Sequence, residues 1–407
     1  MAGIFLTMIT LADIQAAEGR IAGRVIRTPL VYSPTLSRMT GAKIYLKLET
    51  LQKAGSFKVR GATNKILIHH GEILTSGVIA ASAGNHAQGV AVAAGGLGVP
   101  ATVVMPEWAT LPKQEATREY GARVIIHGTS LEESIARAEE MAKDGALFIH
   151  PFNDEEIIAG QGTIGLEILN DLPKTDMIVV PVGGGGLIAG IAIAAKSLRR
   201  EIRIVGVQTT ECPSAKNALE HKRPECVPAR KTIADGIRVE GPGELPMHAI
   251  QDRVDQLALA SEEEIADAML LLLERKHIIA EGAGAVPVAA LLNGSIRIEP
   301  GSSIVLVISG GNVEINKLFR IIRSSLIRSG RLVHIAVDLD NIPGALSRLL
   351  DIVGREGGKV VGIRHYPGEK GVPVFMERIV LETETRGREH ATGILGAMAE
   401  AGYLPEH

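Results

Sequence analysis

The sequence predicts an α/β protein: a two-lobed unit built on parallel sheets, followed by a small C-terminal domain of ferredoxin-like βαββαβ order. Three observations predict it. Short apolar runs alternate with helical stretches from about residue 44 to residue 328. Four glycine-rich turns each follow one of those runs, the arrangement that places ligands at the carboxyl ends of parallel strands. The strand and helix grammar then changes at Ser329 and Gly330.

In order, strands are expected at 44–49, 78–82, 101–105 and 123–126, with helices beginning between them near Ser56, Asn85 and Pro112. An amphipathic helix at 131–143 and a short strand at 147–150 follow. The alternation resumes with strands at 177–182 and 203–208 around a Gly/Ala-rich helix. Helices at 262–276 and after Glu281 precede a strand at 303–308 and a helix from about Glu314. About ten strands crowd a single open sheet, so two sheets with a cleft between them are expected. The tail reads strand 333–339, helix 344–356, strands 359–365 and 374–384, helix 388–401, and a short end. Leu346, Leu349, Leu350 and Val353 stand at i, i+3, i+4 and i+7 on one face of its first helix. The expected boundaries are 1–328 for the first unit, with a small lobe over about 50–154 and a large lobe from the remainder, and 331–407 for the second. A sheet this small leaves edges and one face to cover, which favours pairing with another copy as a homodimer or homotetramer.

Composition removes several functions. With 43 Lys+Arg against 46 Asp+Glu the net charge is −3, which gives no pull toward nucleic acid or an anionic membrane. Aromatic residues at 3% leave no base-stacking platform. Cys212 and Cys226 lack metal-site or disulfide-framework spacing and read as free thiols of a reducing cytoplasm. The apolar run at 1–9 has no basic n-region and no small-residue cleavage site, so no signal peptide is expected. Stretches 77–106 and 177–195 are long enough to imitate membrane spans. Their glycines, prolines and polar residues fit buried strands turning into buried helices instead.

The chemistry lies in the four turns: Lys53-Ala54-Gly55-Ser56-Phe57-Lys58, Ser82-Ala83-Gly84-Asn85-His86, Gly183-Gly184-Gly185-Gly186-Leu187, and Ser309-Gly310-Gly311-Asn312. A strand running into four glycines and then a helix lets backbone N–H groups approach a phosphate. The alternative is a tight turn with close helix–sheet packing. Gly184-x-Gly186-x-x-Ala189 also fits a dinucleotide loop, but the next strand ends in Gln208-Thr209 rather than in an acid for a ribose hydroxyl, although Glu211 is near. Lys58, in an uncharged setting after Phe57, is either a surface lysine or a desolvated amine able to form a Schiff base. The Ser82 and Asn85 region is a helix start, suited equally to N-capping and to binding a carboxylate. His86 reads as a structural donor, and Ser309 as an N-cap or a neutral partner for a buried heteroaromatic nitrogen. A phosphate anchor, an imine-forming lysine and a ring-nitrogen partner together point to pyridoxal phosphate. A nicotinamide oxidoreductase and a non-catalytic amino-acid sensor are the competing readings.

Gly-Ser-Phe-Lys-x-Arg-Gly-Ala, Ser-Ala-Gly-Asn-His-Ala-Gln-Gly and Ser-Gly-Gly-Asn together resemble the threonine ammonia-lyases (threonine dehydratases) among the tryptophan-synthase-β-like, fold type II pyridoxal-phosphate enzymes. The resemblance spans nearly the whole chain and is greatest to the medium-length form with one C-terminal ACT-like domain. It implies that Lys58 is the Schiff-base lysine, that Phe57 packs near the cofactor ring, and that Asn85 bonds its 3′-hydroxyl. It further implies that Gly183, Gly184, Gly185, Gly186 and Leu187 cradle the phosphate and that Ser309 faces the pyridine nitrogen. Ser82, Ala83, Gly84, Asn85 and His86 would hold the carboxylate of an amino-acid substrate. The implied reaction is loss of water from L-threonine, and from L-serine, to give 2-oxobutanoate or pyruvate and ammonia. Serine or 3-hydroxyaspartate dehydratases and serine racemases of the same fold are the alternatives. The turn from Asp338 through Pro343 and Gly344 resembles the ligand-binding turn of ACT domains, which implies an amino-acid effector. Three positions depart from relatives. Thr50 replaces a common Asn. Ala83 stands where racemases carry a second, acid/base serine. Gln208 stands where cation-binding relatives carry a glutamate, so no metal is expected there.

Overall fold

The computed structural model describes residues 9–221, 227–228 and 230–406. Cys226 and all but the last residue of the apolar run at 1–9 lie outside the described residues. The chain divides into two compact units, Met1–Glu314 and Ile315–His407.

The first unit contains β1 (Leu30–Tyr32), β2 (Lys43–Leu48), β3 (Val78–Ala81), β4 (Ala101–Met105) and β5 (Arg123–Ile126). It continues with β6 (Leu147–Phe148), β7 (Met177–Pro181), β8 (Arg203–Thr209), β9 (Gln256–Ala260) and β10 (Ser303–Ile308). They form two sheets. The small one has the order β5-β4-β3-β6 and is parallel throughout. The large one has the order β1-β2-β10-β7-β8-β9, parallel except for the β1–β2 pair. Every residue of β3 and β7 is buried, as expected of strands covered by helices on both faces. The large-lobe core gathers Ile178, Val180, Ile188, Ile191, Val305 and Val307. Val59, Ile66, Val78, Ala80 and Val90 belong to the small-lobe core.

Helix Lys58–Ile68 is anchored by a buried ion cluster. Arg60 Nε and Nη2 donate to the two Glu49 oxygens at 2.8 Å each, and Nη1 donates to Glu167 Oε1 at 2.6 Å. Lys47 Nζ donates to Glu167 Oε2 at 2.5 Å and to the Thr28 carbonyl at 2.7 Å. Two cations thus face two carboxylates, with Thr28 Oγ1 donating to Glu49 Oε1 at 2.5 Å.

The second unit holds β11 (Leu332–Asp340), β12 (Lys359–Pro367) and β13 (Met376–Glu384) in an antiparallel sheet of order β11-β13-β12. Helices Ala345–Arg355 and Arg388–Glu400 cover one face, where Leu349, Val353, Ile394 and Met398 meet Ile335, Val337, Ile379 and Leu381. Asp338 accepts from Arg378 Nε and Nη2 at 2.8 and 3.1 Å. Two expectations are corrected. The last strand of the βαββαβ order is a single bridge, in which Ala336 and Glu406 exchange N–H···O bonds of 2.8 and 2.9 Å. Helix Ile315–Arg328, assigned from sequence to the first unit, groups with the second. Arg323 pairs with Glu382 of β13 at 2.6 Å, and Arg388 donates to the Arg328 carbonyl at 2.8 Å. Among the described residues no helix is long and apolar enough to cross a membrane.

Candidate active site

The glycine-rich turns follow β2, β3, β7 and β10, and three of them meet directly. Ser56 bridges to Gly310, Phe57 N–H donates to the Ser309 carbonyl at 3.1 Å, and Gly311 N–H donates to the Gly55 carbonyl at 2.9 Å. Asn312 is the node: its Nδ2 lies 2.7 Å from the Ala54 carbonyl, 2.9 Å from Asn85 Oδ1 and 3.0 Å from Gln88 Oε1. Gly55 has φ +66°, and a Cβ there would overlap the Asn312 amide, so both its backbone and its lack of a side chain are required.

Lys58 opens its helix, half-buried, with Nζ donating to the Pro151 carbonyl at 2.7 Å and standing 5.1 Å from the Phe57 ring centroid. Burial lowers its pKa to about 8, against the opposing pull of the Glu281 carboxylate. Ser309, 3% exposed, directly follows β10. Asn85 begins helix Asn85–Gly95 and donates through Nδ2 to Glu281 Oε1 at 2.6 Å. Ser82 Oγ accepts the Gly84 N–H at 3.1 Å. A Cβ added to Gly84 would meet nothing within 4 Å, so open space lies at this helix start. Ala83 packs with Ala87, Ala91, Val103 and Met105. The His86 ring is buried, its Nε2–H donating to the Ile149 carbonyl at 2.8 Å, and burial drops its pKa to about 3. Its ring is therefore a neutral strut, and its contribution at the helix start is a backbone N–H.

The fourth turn is joined through residues that carry no signal in the sequence motifs. Phe152 wedges into the glycine run: a Cβ on Gly184 would lie 2.3 Å from its ring Cγ, and one on Gly186 would lie 2.9 Å from its carbonyl oxygen. Gly185 has φ +92° and would meet Pro246 at 2.7 Å, while Gly183 would meet Ile237 Cα at 3.0 Å. Gly186 and Leu187 begin helix Gly186–Leu198, whose first N–H groups lack a carbonyl one turn earlier. Glu281 is a second residue that sequence reasoning misses. It is 4% exposed and stands immediately before helix Gly282–Leu292, with its carboxylate turned to Asn85. A Cβ on Gly310 would come within 2.5 Å of its Oε1. The available signal is the run Gly282-Ala-Gly284: a Cβ on Gly284 would sit 2.6 Å from the Gly310 carbonyl, so the small residues record close packing beneath the site.

Comparison with known proteins decides among the readings of this geometry. The pyridoxal-phosphate dependent enzyme family matches residues 21–310. The L-threonine ammonia-lyase of Thermotoga maritima is 49% identical over 397 residues, covering 97% of this chain and 98% of its own. The chain belongs to the pyridoxal-phosphate dependent enzyme family. Among solved structures, maize serine racemase superposes with a TM-score of 0.74 at 35% identity, covering 79% of this chain and 99% of that one. The processed form of threonine deaminase isoform 2 from Solanum lycopersicum gives 0.72 at 36% identity, covering 77% and 91%. The first unit therefore has the fold type II architecture of this family, and the second is a small ACT-like domain. The nicotinamide reading is set aside.

The residues present fit the family's cofactor. A desolvated amine at Lys58 suits its aldehyde, the N–H groups opening helix Gly186–Leu198 suit its phosphate, and neutral Ser309 suits its ring nitrogen. Gln208 is engaged elsewhere: its Oε1 accepts the Lys216 N–H at 2.9 Å and its Nε2 lies 3.4 Å from Ser214 Oγ, where it caps helix Ser214–His221. Among the described residues no group of three or more His, Cys, Asp or Glu is placed to hold a metal ion.

Proposed function

We propose that this pyridoxal-phosphate dependent enzyme is an L-threonine ammonia-lyase: it removes water across Cα and Cβ, the released enamine tautomerises to an imine, and a water hydrolyses that imine to 2-oxobutanoate and ammonia, with L-serine treated likewise. One observation carries the reaction class: the Lys58 amine, with a pKa of about 8, stands against the Pro151 carbonyl where the turns of Asn85 and Ser309 converge. The choice of threonine rests on end-to-end likeness to the Thermotoga maritima enzyme.

Bound pyridoxal phosphate supplies a conjugated sink for negative charge at the substrate Cα. The chain supplies the rest. N–H groups at the start of helix Asn85–Gly95 bind the substrate carboxylate and fix its orientation. Lys58 Nζ takes the Cα proton, and its lowered pKa keeps part of it unprotonated near neutrality. Gly183, Gly184, Gly185, Gly186 and Leu187 hold the phosphate end, Phe57 supports the ring, and Asn85 and Ser309 hold its polar edge. Ser309 carries no charge, which disfavours a long-lived carbanion and favours prompt loss of the β-hydroxyl.

Ala83 supports elimination over racemisation, because its methyl packs in an apolar cluster and offers no proton from the opposite face. Keto-acid analysis on threonine, serine and 3-hydroxyaspartate is the test. Dominant 2-oxobutanoate from threonine is expected; D-serine formation, or turnover confined to 3-hydroxyaspartate, refutes the assignment. The ACT-like unit is read as a sensor of an amino acid such as isoleucine or valine, working between paired copies of a cytoplasmic homodimer or homotetramer. Deletion of residues 331–407 should abolish the effector response, and an intact response would end that reading.

A further inference from the structure

The segment from Phe148 to Asn153 touches three of the four site turns, at Lys58, at His86 and at the glycine run. Its carbonyls at Ile149 and Pro151 accept from His86 Nε2 at 2.8 Å and from Lys58 Nζ at 2.7 Å. Its Phe152 ring fills the space beside Gly184 and Gly186. Inside the segment, His150 Nδ1 accepts two backbone N–H groups, from Phe152 at 3.2 Å and from Asn153 at 2.8 Å. An N–H donor at each contact fixes the tautomer: Nδ1 is bare. The ring is set edge-on to Phe148 and Phe152, with centroids 6.2 and 4.8 Å away and interplanar angles of 79° and 90°.

We propose that His150 is a positioning residue for Lys58: by folding the turn over residues 150–153 around its bare Nδ1, it aims the Pro151 carbonyl to hold the lysine amine whenever that amine is free. This rests on the reading of Lys58 as the cofactor-binding lysine. An amine that alternates between bound and released states needs a fixed acceptor for the released state, or its long side chain samples many rotamers. The Pro151 carbonyl fills that role because proline has no N–H and a fixed φ, and because the two N–H groups that follow it are both satisfied by one ring. A side chain that accepts the N–H groups two and three residues ahead is what Asn and Asp do in turns. Here an imidazole does so, and the Phe152 ring beside it ties the same turn to the glycine run.

The charged and titratable groups acting on Lys58 are Glu281, at the start of helix Gly282–Leu292, and the imidazoles of His86 and His150. Burial lowers those imidazoles to about 3 and about 4, so both are neutral at working pH. A carbonyl that accepts from the ammonium favours the charged form, so losing it lowers the lysine pKa further.

The test follows the pH dependence of Lys58 acylation by acetic anhydride in the full-length apoenzyme, read by peptide mass mapping. His150→Phe keeps the aromatic packing and removes the acceptor, and should lower the apparent Lys58 pKa by about one unit, the scale of one charge-assisted hydrogen bond. His150→Asn keeps an acceptor for the same two N–H groups and should titrate as the wild type does. His150→Leu, which fills space without accepting, replaces His150→Phe if that variant does not fold. Identical titration in all variants overturns the proposal, as does His150→Asn behaving like His150→Phe. Borohydride reduction of the wild-type holoenzyme is the separate control. Recovery of Lys58 without a pyridoxyl label defeats the parent reading and this one with it, whereas unchanged acylation profiles defeat only the role of His150.

Discussion

Replacing Glu167 with Gln tests what holds the lysine-bearing helix in place. Arg60 lies two residues beyond Lys58, and its guanidinium, Lys47, Glu49 and Glu167 form a cluster in which two cations balance two anions. Arg60, Lys47 and Glu49 are fully buried and Glu167 is 6% exposed, so water screens little of the imbalance that Glu167→Gln creates. One positive charge is left without its partner carboxylate, and breaking a buried pair in this way costs about 3–5 kcal/mol. That is a large part of the roughly 5–15 kcal/mol typical of a domain. Lys47→Met added to Glu167→Gln restores neutrality, so the double variant should be more stable than Glu167→Gln alone, with coupling of at least about 1 kcal/mol in the cycle. Trp108 is the single tryptophan and lies in the first unit, so its fluorescence during urea unfolding reports on that unit. A loss below about 1 kcal/mol for Glu167→Gln, or strict additivity of the two changes, would falsify the charge-balance argument. The cluster also sets an acid limit. Burial would raise the Glu49 pKa, but Arg60 and Thr28 hold it below the ordinary 4.5. Its share of stability is present above that value and is lost as the pH falls through the depressed one.

Two further outcomes follow from side-chain positions. Gly184→Ala forces the Phe152 ring out of its place, an overpacking that costs about 1–3 kcal/mol and should weaken pyridoxal phosphate binding about tenfold or more by absorbance titration; wild-type affinity would remove Phe152 from the account. Activity should survive exhaustive chelation, because the Gln208 amide is spent on Ser214 and Lys216 N–H, and strict magnesium dependence would contradict this.

What the sequence shows of the fold is what local pattern encodes. Apolar runs such as Met177–Pro181 and Ser303–Ile308 are strands, and the glycines that follow them are turns. Which strands are neighbours is not local: β10 inserts between β2 and β7, from parts of the chain far apart, and this alone brings Ser309 against Phe57. Helix Ile315–Arg328 follows its strand so closely that adjacency suggests the first unit, yet it groups with the second, where Arg323 pairs with Glu382. The tail's final strand is reduced to the one bridge between Ala336 and Glu406, a pairing between distant parts of the chain that no local pattern in the short end announces.

The site divides along the same line. Residues inside glycine-rich turns are visible because the turn marks them; those that reach the site from elsewhere are not. Glu281, His150 and Phe152 carry no motif of their own, and each is recognised only by what it touches: Asn85 and Gly310, the 152 and 153 amides, and the glycine run. The run itself shows how partial a motif can be. Four glycines invite a phosphate reading, because a turn by itself needs only one or two. Each of the four instead has a neighbour that a Cβ would strike: Ile237, Phe152, Pro246, and the Phe152 carbonyl. Packing alone therefore accounts for the count, and the anion reading rests on the start of helix Gly186–Leu198, on Lys58, and on family membership. The two demands act on the same residues, because a loop packed this tightly on its outer side keeps its N–H groups fixed in direction, and fixed donors are what a bound anion requires.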